Sequence, residues 1–258
     1  MRLQPFILIV FLVLLPTVAH AQLTLSVGAE YLDWGEDVSP TVEEQGLLFT
    51  FGVGYTQQRD EGLIFAYRGK LWFGSVDYTG ATLLTKQPTT GTTGYLGLTN
   101  EAQARWRKPI QEGEYRMDLV GGLGLDTWRR ELSSVQREDY FVTYVRAGLE
   151  VDSDFERTWM YGLGIKYPIW VSEDAHLDRI GFDRNPELNP GGKVSLYTHL
   201  GYRFRSQWAI VGYVDGYRFS RSNEVTTTEI AKGFGSLTVY QPASDMLFIG
   251  LRLERRFP

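Results

Sequence analysis

From Gln22 onward, apolar and polar residues alternate. In the stretch 194–204, Val194, Leu196, Leu200, Tyr202 and Phe204 fall in one phase, and Ser195, His199, Gly201 and Arg203 in the other. Side chains of an extended chain point alternately to two faces, so this pattern predicts a strand with one apolar and one polar or glycine face. Ten such runs are predicted, at roughly 22–33, 46–57, 62–78, 94–107, 114–129, 139–151, 158–171, 192–205, 207–221 and 244–257. Most meet or exceed the ~9–11 residues that a tilted membrane strand needs. The run at 207–221 fits worst, because Asp215 shares a phase with Tyr213 and Tyr217, and a bulge is expected there.

The connections alternate too. Short links fall near 58–61, 108–113, 152–157 and 206; long polar ones fall near 34–45, 79–93, 130–138, 172–191 and 222–243. Long runs, an even number of them, and short turns facing long loops predict an all-β fold: a closed antiparallel up-and-down transmembrane β-barrel of about ten strands, with short periplasmic turns and long extracellular loops.

In such a barrel the apolar phase meets lipid and the other phase lines a lumen. That second phase collects Glu30, Arg68, Lys70, Glu101, Arg105, Arg116, Asp118, Asp126, Arg146, Glu150, Lys166, Lys193, Arg203, Arg205, Arg252, Glu254 and Arg256, along with His199. Glycines favour it as well, in the pairs Gly52/Gly54, Gly122/Gly124 and Gly162/Gly164, where small residues leave room for long inward side chains. Trp34, Trp106, Trp128, Trp159, Trp170 and Trp208 lie near predicted strand ends, where interfacial aromatic belts sit, and Trp72 does not. The phasing turns Trp34, Trp128 and Trp170 inward, which calls for either local bulges or a plugged mouth.

Composition narrows the function. The 258 residues hold no cysteine, which removes thiolate metal sites, thiol nucleophiles and disulfides. The mean hydropathy of −0.21 and the lack of further apolar runs after the N-terminus exclude a polytopic helical membrane protein. Residues 1–21, with Arg2, an apolar run from Phe6 to Leu15 and the ending Ala19-His20-Ala21, read as a cleaved secretory signal peptide, leaving 22–258 as one barrel domain. With 26 Lys and Arg against 31 Asp and Glu, the chain has no electrostatic footprint for nucleic acid. No metal ligand set and no cofactor is expected.

The last strand, with Ile249, Leu251, Leu253 and Phe257, resembles the closing strand of bacterial outer-membrane barrels, although Arg255 takes a place where an aromatic is common and Pro258 follows the Phe. Gly-Leu-Gly-Leu-Asp-Thr-Trp at 122–128, Gly-Leu-Gly-Ile-Lys-Tyr at 162–167 and Leu-Gly-Tyr-Arg-Phe at 200–204 resemble the same group. The resemblance implies a bacterial outer-membrane location, insertion by the barrel-assembly machinery, and outer-membrane lipid and lipopolysaccharide as partners.

Chemistry is sparse. The Gly-x-Gly pairs open no helix and lack a third glycine, so they are not phosphate loops. No Gly-x-Ser-x-Gly elbow occurs. In the loop 172–191, a carboxylate two residues before a histidine is placed to orient an imidazole as a general base. Asp174-Ala175-His176 there resembles the Asp-x-His of the omptin outer-membrane proteases, which implies endopeptidase activity with acidic partners across a cleft; Asp77 is the one candidate partner. The leading expectation is a non-enzymatic barrel, serving as structure, as a narrow pore or as a contact surface. Eleven of the charges assigned to the lumen are cationic and six anionic, so such a pore would prefer anions. The alternatives are an omptin-like peptidase, and an adhesin or ligand-binding barrel acting through 172–191 and 222–243.

Overall fold

The computed structural model describes residues 21–82, 85–153, 158–204, 207–231, 233 and 235–257. The leader before Ala21, and Arg205, Phe234 and Pro258, lie outside the described residues. The wall is built from β1 (Ala21–Glu36), β2 (Val42–Gln57), β3 (Gly62–Ala81), β4 (Pro88–Ile110), β5 (Tyr115–Glu131), β6 (Arg137–Asp152) and β7 (Thr158–Asp174). An interrupted strand follows, made of β8 (Glu187–Leu188), β9 (Gly191–Lys193) and β10 (Ser195–Arg203), and then β11 (Trp208–Ser220) and, after a small hairpin, β14 (Ser244–Phe257). Each wall strand pairs antiparallel with the next, β7 with β10, β11 with β14, and β14 with β1. The sheet is a closed ten-stranded antiparallel barrel. Closure leaves no strand edge, the condition for a sheet to cross lipid.

Short turns join the strands at the end holding Ala21 and Phe257, the periplasmic end; the long connections all lie at the other. The outer face is apolar: Leu47, Phe49, Leu163, Leu196 and Leu251 are 59–68% exposed, and many further large apolar residues share that face. A continuous belt of this size would be unstable against water and is what acyl chains cover. Trp106 and Trp159 stand on this face toward the periplasmic end, and Trp170 toward the outer end.

Two phase readings are corrected. The bulge is not in 207–221, where β11 runs in unbroken register with β14 and Tyr213, Asp215 and Tyr217 all belong to the inward phase. It lies on β7, where Thr143 pairs Trp170 but Tyr144 pairs Pro168; the extra residue turns Trp170 outward. Lys193 is exposed and outward, because it pairs the outward Arg218 and the chain slips phase at Val194 before β10 begins.

The strands also run further outward than the alternation shows. β4 has 23 residues, twice what a membrane strand needs, and its start, Pro88-Thr89-Thr90-Gly91-Thr92, lies within the stretch read as the loop 79–93. Above the lipid both faces of a strand are wet, so apolar alternation vanishes while the β-branched threonines still favour extended chain. The stretch 222–243 likewise contains a hairpin, β12 (Val225–Glu229) with β13 (Gly235–Val239).

Candidate functional site

The bore is filled in three layers. The inner layer, toward the periplasmic end, is ionic. Arg68 on β3 reaches Glu150 on β6 at 2.9 Å, and Arg105 on β4 meets the same carboxylate at 3.0 Å. Arg105 also approaches Asp118 at 3.4 Å, which Arg107 holds at 2.8 Å. Arg146 pairs Glu101 at 3.0 Å, Lys70 pairs Glu30 at 2.8 Å, and Lys166 pairs Asp215 at 2.6 Å. Nearer the periplasmic end, Arg203 and Arg256 share Asp152, Arg252 pairs Glu254 at 2.6 Å, and Arg116 reaches Asp60 at 3.2 Å. Pairs drawn from strands two or three apart tie non-adjacent parts of the wall together; breaking one would leave a buried charge uncompensated.

Glycines make room for the large side chains. A Cβ at Gly124 would overlap the Tyr144 ring, one at Gly97 the Trp72 indole, and one at Gly162 the imidazole of His199. His199 makes no hydrogen bond to the described residues and lines a cavity of about 230 Å³ with Arg68, Arg252 and Tyr197, reaching to Gln22 and Gln57 at the periplasmic end.

The middle layer is aromatic. Phe248 of β14, Trp72 of β3, Trp128 of β5 and Tyr217 of β11 form a line of rings across the bore, with centroids 5.3, 6.3 and 6.0 Å apart. Tyr140 stacks on Trp128 at 4.9 Å and meets Trp34 edge-on at 5.7 Å. These are contact distances for aromatic pairs. Trp34, Trp72, Trp128, Tyr140, Tyr217 and Phe219 are all buried, and Leu32, Leu48, Val76, Val142 and Val171 complete the layer. Of the two explanations for inward tryptophans, the plug holds for Trp34 and Trp128, and the bulge for Trp170.

The outer layer centres on Arg130. Its guanidinium holds Glu44 of β2 at 2.6 Å, Glu138 of β6 at 2.7 Å and Glu36 of β1 at 3.1 Å, and lies over the Trp34 ring. Tyr95 donates to Glu44 at 2.5 Å and Trp34 Nε1 to Glu36 at 3.1 Å. Glu173 stands beside them, buried, with Oε2 lacking a hydrogen-bond partner. None of these five charged residues was among those assigned to the lumen, because each fell in a stretch read as loop. With four carboxylates to one guanidinium the outer layer is acidic, so the cationic surplus on which the anion preference rests belongs to the inner layer alone.

At the outer rim, Asp174 and His176 lie on the outward side of the barrel. His176 Nδ1 is 3.3 Å from Asp174, and Nε2 is 2.8 Å from Asp139 and 3.0 Å from Arg137. Asp139 in turn pairs Arg129 at 3.0 Å. Asp77 sits on β3, exposed, opposite Gln45 and Thr92 and four strands along the wall from β7. The structure therefore brings Asp174 and His176 together and leaves Asp77 apart.

Above the rim, a small cap packs Ala175, Leu177, Phe182 and Leu188 against Val225, Leu237 and Val239 of the hairpin. Gly181 ends its short 3-10 turn (177–180) at φ 106°, a left-handed conformation that favours glycine. Asp183 accepts hydrogen bonds from Thr227 Oγ1 at 2.6 Å and from the Thr228 amide at 2.9 Å, which hold its carboxyl below the ordinary aspartate range. Among the described residues no group of His, Asp and Glu side chains is arranged to hold a metal ion.

No protein-family model matches the chain, and no curated protein matches it. Among solved structures it is similar to the outer membrane protease OmpT from Escherichia coli, with 10% identity over 93% of this chain and 98% of that one and a TM-score of 0.52. It also aligns with an outer membrane channel from Pseudomonas putida (12% identity, 91% and 95% covered, TM-score 0.42) and with Neisserial surface protein A (9%, 91% and 97%, TM-score 0.35). At these identities the similarity to OmpT concerns the fold: the chain is a ten-stranded barrel of the outer-membrane type.

Proposed function

We propose that this protein is a sealed, non-enzymatic barrel of the bacterial outer membrane that anchors a folded cap at the cell surface. The observation that carries this reading is the aromatic layer. Rings from β14, β3, β5 and β11 meet across the bore, as expected for a barrel near the width that side chains just fill. The lumen then serves as a packed core and the exposed outer surface is left for contact, which favours the surface-contact reading over a narrow anion-preferring pore.

The rim supports the non-enzymatic part. A general base needs an open nitrogen within reach of the proton it takes, and both ring nitrogens of His176 face carboxylates, Asp174 and Asp139. Asp77 faces away from the mouth.

Liposome swelling tests the reading. Vesicles carrying the refolded protein are expected to stay as impermeable to arabinose as protein-free vesicles. The same is expected of a variant in which 222–243 is replaced by a short turn, because the seal belongs to the wall strands and not to the cap. Sugar entry through either protein overturns the proposal.

A further inference from the structure

We infer that the inner vestibule is a binding site for a small oxyanion of the phosphate class, entering from the periplasmic end, with Arg68 and Arg252 as its charged ligands and His199 and Tyr197 as neutral donors. The cavity of about 230 Å³ is many times what one water needs, on the order of 10–15 Å³. It is blind, because the aromatic layer closes its outer side.

Its lining is cationic: eight Arg and Lys against five Asp and Glu. Beyond the lining, Glu30, Asp118 and Asp60 offset Lys70, Arg107 and Arg116, while Lys166 and Arg203 offset Asp215 and Asp152, which leaves cations in excess. Low-dielectric walls focus such a field on the enclosed volume.

The donors are available as well as charged. A guanidinium has five N–H groups in a fixed fork. Arg68 gives Nη2 to Glu150 and makes no other hydrogen bond to the described residues, and its side chain is 35% exposed to the cavity. Among the described residues Arg252 gives only Nε, to Glu254, while its guanidinium lies 4.9 Å from the centre of the Tyr213 ring, which leaves both terminal nitrogens without a partner there. His199 lines the same cavity and has no hydrogen-bond partner among the described residues. The Tyr197 hydroxyl is buried without a partner among the described residues, and the Arg146 guanidinium lies 3.6 Å from the centre of its ring. Buried polar groups in native proteins are rarely left unpaired, so an orphan hydroxyl on a residue lining the same cavity as unbonded guanidinium nitrogens marks a place for an acceptor. Donors from β3, β10 and β14 around one cavity suit a tetrahedral anion, whose oxygens point several ways, better than a planar one.

The test is calorimetric titration of the folded barrel in detergent with inorganic phosphate at fixed ionic strength in chloride. Saturable binding is expected, weakened at least tenfold by Arg68→Gln with Arg252→Gln and a few-fold by Tyr197→Phe, and unchanged by Arg129→Gln on the outer face. Folding of each variant is checked by its shift in gel mobility on heating. Should the double variant not fold, Tyr197→Phe and Arg252→Lys carry the test, because each keeps the charge of the layer. Absence of saturable heat in the unsubstituted protein, equal affinity in the variants, or displacement of phosphate by chloride at equal concentration would overturn the inference. It does not depend on the seal: a conducting barrel would refute the proposed function and leave this titration unaffected.

Discussion

Arg130 on β5 ties its neighbour β6 to two strands, β1 and β2, that share no hydrogen bond with its own. Its guanidinium is nearly inaccessible and contacts Glu36, Glu44 and Glu138 from β1, β2 and β6, two of which lie across the bore. An ion pair in such a place contributes little net stability over an apolar filling, but removing one side leaves the other uncompensated, at about 3–5 kcal/mol. Arg130→Met is therefore expected to destabilise the barrel by roughly that amount in denaturant unfolding. A loss below about 1 kcal/mol would mean the carboxylates are satisfied some other way, since ~1 kcal/mol is the ordinary cost of a point substitution. Phase alone, without contacts, picks out Arg68, Arg105 and Glu150, because they sit within the lipid-facing stretch where alternation is enforced. Arg130, Glu36 and Glu44 sit above it, where the outward face meets water instead of lipid and the inward face is itself ionic, so apolar alternation carries no signal.

At the scale of elements, the same physics sets what the chain shows of its strands. Membrane burial writes apolar residues at every second position, so the inner portions of all ten wall strands are legible, and their outer extensions, such as Pro88–Thr93 on β4, are not. The bulge is harder still. On β7 one extra residue near Pro168 turns Trp170 outward, and a tryptophan suits either face, so sequence phase alone does not decide it. The cap follows different rules, since it is held by a few apolar contacts and by Asp183. Because the bonds from Thr227 and Thr228 depress the folded-state value of Asp183, their contribution is fully present above the unfolded value of about 3.9 and is lost as pH falls through the lower folded one. The Thr228 amide resonance is expected to titrate below about pH 3.9 and to lose its pH response in Asp183→Asn. An inflection at or above that value would contradict the assigned hydrogen bonds.

For the whole molecule, the three layers divide the work. Acyl chains cover the outside, ion pairs hold the inner half of the wall together, aromatic rings close the middle, and Arg130 neutralises part of the acidic mouth beneath the cap. The similarity to OmpT describes the frame, and the rim of this barrel carries its own arrangement, with His176 held between Asp174 and Asp139. The role assigned to the surface follows from whether the rings of Phe248, Trp72, Trp128 and Tyr217 close the bore. Single-channel recording in a planar bilayer measures that directly. The folded protein is expected to insert without discrete conductance steps above the bilayer leak, and reproducible steps from the folded, unsubstituted barrel would contradict a sealed lumen.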